Sequence, residues 1–91
     1  MLRLNCFIKV TEDKREIVLE AAKRLTTASL QQDGCISYDI FESATRHDVM
    51  MICETWRDES ALKFHSESDE FVKEVGIMRT NSEMKLETFK F

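Results

Sequence analysis

Six side chains are of a type and placing that could act on a small molecule: Asn5, Tyr38, Glu54, Trp56, His65 and Phe71. A histidine titrating near neutrality can take a proton from a phenol or an enol. That step activates such compounds toward dioxygen or toward isomerisation. His65 is therefore the candidate catalytic base. Trp56, the only tryptophan, could stack on an aromatic ligand and donate its indole N–H to a ligand oxygen. Tyr38 offers a phenol donor, and Asn5 an amide for a substrate carbonyl or a dioxygen-derived oxygen. Glu54 ends an apolar strand, where a carboxylate is seldom left without a partner. It should pair with His65, an arginine or a backbone N–H, which suits an orienting role. Asn5, Tyr38, Glu54, Trp56 and Phe71 make up the expected substrate-binding set.

Each of these residues also has a structural reading. His65 could hydrogen-bond Ser68 or Glu54 and simply hold a corner together. Trp56 could anchor strand to helix in the core, Tyr38 could be strand packing, and Asn5 a satisfied edge-strand asparagine. Phe7, Phe64, Phe71 and the five methionines read first as core. Where they line a pocket they make it apolar and suited to a planar ligand. His47 lies in a polar loop and reads as a solvated turn residue.

Other chemistries have no signature in the chain. There is no phosphate-cradling glycine loop, nucleophile elbow, metal-spaced histidine cluster or paired-carboxylate motif. No metal or cofactor is expected, so oxygen chemistry would have the substrate carbanion reduce dioxygen itself, or else use a cofactor the sequence does not announce. Cys6, Cys35 and Cys53 are odd in number, lack Cys-x-x-Cys spacing and sit in apolar runs. They read as small hydrophobes in a reducing cytoplasm rather than as a disulfide framework or zinc site.

The elements that would carry these residues follow from periodicity. Residues 2–10 alternate, with Leu2, Leu4, Cys6, Ile8 and Val10 on one face and Arg3, Asn5, Phe7 and Lys9 on the other, which predicts a strand. Thr11 or Asp13 can cap a helix whose stripe is Ile17, Val18, Ala21, Ala22, Leu25 and Ala28, with Glu20 and Arg24 paired on the outer side. Asp33-Gly34 ends it, Gly34 taking a positive φ. Residues 35–42 alternate again, with Ile36, Tyr38 and Ile40 opposite Cys35, Ser37, Asp39 and Phe41. A polar loop leads to a strand over 48–56 that is apolar on both faces, as a central strand should be. Asp58 caps a short helix bearing Ala61, Leu62, Phe64 and His65. Ser68 caps a second, with Phe71, Val72, Val75 and Met78 as its stripe and Gly76 as a terminator. Residues 82–91 form a last strand.

The order β-α-β-β-α-α-β predicts an α+β, ferredoxin-like sandwich with a four-stranded antiparallel sheet, one domain over 1–91. Both crossovers being right-handed, the helices should share one face of the sheet. The other face, expected to carry Leu4, Cys6 and Ile8, would be too apolar to stay wet, which implies a homodimer through the sheet faces. A 91-residue chain buries only about 60–65% of its unfolded surface, so a partner would also enlarge a marginal core. The net charge of −4, without a basic cluster, disfavours nucleic acid and anionic membranes. Residues 1–10 lack a signal-peptide core, and no apolar run approaches the ~18–20 residues of a membrane span. A cytoplasmic location is expected.

The middle of the chain resembles the antibiotic biosynthesis monooxygenase family of dimeric α+β barrels. The likeness rests on Gly34-Cys35-Ile36-Ser37-Tyr38-Asp39-Ile40-Phe41, a G-x-x-x-Y strand, and on Glu54-Thr55-Trp56-Arg57-Asp58, an E-x-W strand end. Residues 61–71, from Ala61 through His65 and Ser68 to Phe71, are similar to the family's A-x-x-x-H-x-x-S-x-x-F helix pair. The resemblance implies a homodimer with one pocket per subunit between sheet and helices. Members include oxygenases that act on phenolic or quinol-type polyketides without metal or flavin, isomerases of small signalling metabolites, and haem-degrading enzymes. The haem-degrading branch relies on an Asn, a Trp and a His. Asn5 matches the first, but His65 stands at the tryptophan position and Val75 at the histidine position, which argues against haem degradation.

The expected function is thus a cofactor-independent monooxygenase of a quinol or phenolic, polyketide-like small molecule. An isomerase of a small hydroxy-ketone, or a non-catalytic binding module of the same fold, is the alternative.

Overall fold

The computed structural model describes residues 1–91. Its elements are β1 (Leu2–Lys9), α1 (Glu12–Ser29), β2 (Cys35–Glu42), β3 (Val49–Trp56), α2 (Glu59–Glu67), α3 (Asp69–Asn81) and β4 (Glu83–Lys90). The strands form one antiparallel sheet in the order β2-β3-β1-β4, with β1 and β3 at its centre. This is the ferredoxin-like arrangement predicted from the alternation of periods two and 3.6. No helix is long and apolar enough to cross a membrane.

The two faces of the sheet are exchanged relative to the sequence expectation. Leu2, Leu4, Cys6 and Ile8 are buried in the core with Val18, Leu25, Val75 and Met78 of the helices. The bare face instead presents Arg3, Asn5, Phe7 and Lys9, of which Phe7 is 40% exposed. The reason is the greater apolar length of the first row. Only an unbroken row of aliphatic side chains can meet the helical stripes without desolvating a cation. Once that row is chosen, period two fixes the direction of every other side chain.

Four further expectations shift for local reasons. A bulge between Cys35 and Ser37 pairs Cys35 with Trp56 and leaves Ile36 exposed, while Tyr38 still pairs with Glu54. Gly76 does not end α3, which runs through it to Asn81. Arg24 leaves Glu20 to Lys23 and reaches across to α3, giving a bidentate pair with Glu74 at 3.0 Å for both bonds. Glu74 is only 5% exposed, and a carboxylate so buried takes the strongest donor within reach. The α1 stripe also moves: Leu19 and Ser29 are buried, and Ile17 lies outside.

Gly34 does hold the turn after α1, at φ +83°. A Cβ there would run into the Ala61 side chain, and the Gly34 carbonyl accepts the Arg57 N–H at 2.8 Å. Gly34→Ala should therefore cost about 2 kcal/mol or more and lower Tm by roughly 10 °C in a thermal melt.

Candidate active site

β3 delivers Glu54 and Trp56 to the same, helix-covered face of the sheet, two residues apart. Asp58 then starts α2 by accepting the Ala61 N–H on Oδ1 at 2.8 Å, and this brings His65 back over the strand end two helical turns later. Ser68 locks the joint between the helices. Its hydroxyl donates to the His65 carbonyl at 2.7 Å and accepts the Phe71 N–H at 3.2 Å. Ser68 therefore fixes the histidine's backbone rather than its ring.

The imidazole is boxed in by aromatic rings. Trp56 lies beneath it, centroids 4.4 Å apart and planes at 35°; Phe71 meets it edge-on at 5.0 Å; Tyr38 lies 5.6 Å away. His65 is 1% exposed. Its Nδ1–H donates to Gln32 Oε1 at 2.7 Å, just past the end of α1. That bond places the proton on Nδ1, so Nε2 carries a lone pair. Nε2 has no hydrogen-bond partner, although it is buried. Glu54 Oε1 lies 4.0 Å from it and already accepts the Trp56 indole N–H at 2.9 Å.

Burial acts on the two titratable groups in opposite senses. Glu54 is pushed up to about 7, burial outweighing the stabilising Trp56 N–H and Tyr38 hydroxyl. His65 is pushed down to about 4 by burial alone. At neutral pH the ring is therefore uncharged and the carboxyl is near its midpoint. Neighbouring groups whose surroundings push them in opposite directions are candidates for an acid–base pair. It revises the sequence view of His65 as a histidine with an ordinary neutral pKa. Burial raises Tyr38 well above the usual phenol range, with Glu54 adding to the effect, so Tyr38 remains a donor. The Cys6 thiol, raised to about 11 by burial, stays protonated.

These groups open onto a cavity of about 320 Å³ between the sheet and α2–α3, walled mostly by apolar side chains. Tyr38, Glu54, His65 and Phe71, four of the six residues singled out from the sequence, line it. Two expected members fall elsewhere. Trp56 is 0% exposed behind the imidazole, with its face against His65 and its N–H used by Glu54, so it positions those groups and offers no stacking surface to a ligand. Asn5 follows the exchanged strand face to the bare side of the sheet, away from His65. Gln32 and Arg79 join the site without having been singled out from the sequence. Gln32 sits where the helical pattern decays, a place that carries no periodic signal. Arg79 is a basic residue in the last turn of α3, a common placing that by itself signals no site.

Residues 1–75 match the family model described as antibiotic biosynthesis monooxygenase. A candidate monooxygenase of Bacillus subtilis strain 168, YcnE, is 38% identical over 71 residues, covering 78% of this chain and 75% of the relative. A conserved protein of unknown function from Bacteroides thetaiotaomicron, described as a candidate oxidoreductase, superposes with a TM-score of 0.97 at 52% identity, over 99% of this chain and 96% of its own. SnoaB, a cofactor-independent oxygenase from Streptomyces nogalater, shares the fold with a TM-score of 0.87 at 13% identity, over 99% and 91% of the two chains.

Proposed function

This chain belongs to the antibiotic biosynthesis monooxygenase family, and from that premise we propose that it oxygenates a quinol or phenolic small molecule without a cofactor. The observation that carries this reading is the buried, unpartnered His65 Nε2 on the wall of an apolar cavity, opposite the Glu54 carboxyl. An acidic C–H or O–H of the substrate gives its proton to Nε2, and the imidazolium so formed is stabilised by ionised Glu54. The resulting carbanion supplies the electrons that reduce dioxygen, forming a C–O bond and a peroxide. The imidazolium returns its proton to the peroxide; loss of a second proton from the same carbon then forms the carbonyl as the O–O bond breaks, and the expelled hydroxide takes that proton and leaves as water.

Oxygen uptake with a panel of naphthoquinols and anthrones tests the proposal, with product oxygen traced by isotope labelling. Turnover that persists anaerobically, followed by NMR, would instead assign the same proton transfer to an isomerase. Binding without any turnover would leave a ligand-binding module.

The homodimer is proposed on the bare sheet face, where Phe7 and Phe41 flank Met51 in the strand register. Phe7 and Phe41 are 40% and 50% exposed, a contiguous apolar patch of the kind that partners cover. Sedimentation at micromolar concentration should give twice the chain mass, and Phe7→Lys should halve it. A monomeric wild type would end this reading.

A further inference from the structure

Five of the six arginines are engaged. Arg15, Arg24, Arg46 and Arg57 hold carboxylates, while Arg3 donates to Thr55 Oγ1 and lies over the Phe91 ring. Arg79 makes no side-chain hydrogen bond or ion pair. It stands in the last turn of α3, next to fully buried Met78, and is the only arginine or lysine on the cavity wall. Its charge is felt at Cys6, on the sheet side of the same cavity, where it opposes the rise of the thiol. A chain of net charge −4, with Glu54 inside the cavity, would repel an anion unless such a cation met it.

We propose that Arg79 anchors an anionic substituent, a carboxylate beside the ring hydroxyl, on a planar aromatic substrate whose ring fills the apolar cavity. The guanidinium fork suits bidentate capture of a carboxylate, and an exposed position at the mouth lets it select before the ring is enclosed. The inference rests on the reading of this cavity as the substrate site.

Fluorescence titration of Trp56 with naphthol and with its ortho-carboxylate, hydroxynaphthoate, tests it. The wild type should bind the carboxylate about tenfold more tightly. Arg79→Gln should abolish that preference without weakening naphthol, Arg79→Lys should keep part of it, and added salt should narrow it. Equal wild-type affinities, or a preference that survives in Arg79→Gln, would overturn the proposal. A side chain that only complements the α3 C-terminus would lower Tm when replaced, with no carboxylate preference in the wild type. If naphthol binds and drives oxygen uptake yet the carboxylate gains nothing, Arg79 fails as an anchor and the oxygenase reading stands. If neither probe binds, both fail together.

Discussion

His65→Ala is expected to lower kcat for a quinol substrate by about 10²–10⁴-fold, the usual contribution of a positioned general base, with little change in KM. Nε2 is the one buried polar atom on the cavity wall without a partner, so its removal takes away the proton acceptor and leaves the apolar walls in place. Because Glu54 is held up to about 7, kcat/KM should rise with pH through about that value as the carboxylate forms beside the nascent imidazolium. Glu54→Gln should remove this limb as well as slow the reaction. Gln32→Leu should act differently: with no acceptor for Nδ1–H, the ring can take the other tautomer, so kcat falls while the Glu54 limb remains. Equal rates for wild type and His65→Ala in oxygen uptake would dismiss His65 as the base.

The parts of this site that could be read in advance are those governed by period and capping. Glu54 and Trp56 share a face because a strand has period two, and Asp58 and Ser68 place His65 and Phe71 because caps set where helices begin. Two things escaped for the same reason, that they depend on which partner a residue meets. The direction of Asn5 was decided by which face of β1 the helices covered, and both faces carried apolar residues. Gln32 is polar, lies in an irregular turn and acts through one contact with a residue 33 positions away. The role of Trp56 was undecided for a related reason: a tryptophan at a strand end can face a ligand or back a histidine, and only the position of α2 tells which.

The opposed pKa changes also predict a distinctive pH dependence of stability. Glu54 rises on folding from an ordinary 4.5 to about 7, so it favours the folded state below pH 4.5, and that contribution is lost as pH rises through 7. His65 falls from 6.5 to about 4, so its contribution is present above pH 6.5 and lost as pH drops through 4. Each change corresponds to about 3 kcal/mol. Over the shared window the two slopes cancel, and the pair should add almost nothing to the wild-type profile. Removing either member exposes the other. Relative to wild type, Glu54→Gln should gain about 3 kcal/mol between pH 4.5 and 7, and His65→Phe should lose about as much from pH 4 to 6.5. Urea unfolding across this range, at one fixed protein concentration because dimerisation would also contribute, measures both. Packing differences displace a variant's curve as a whole, whereas the titrations tilt it in opposite directions. Parallel curves for the two variants would mean that Glu54 and His65 do not titrate as their burial requires, and the acid–base pair would lose its physical basis.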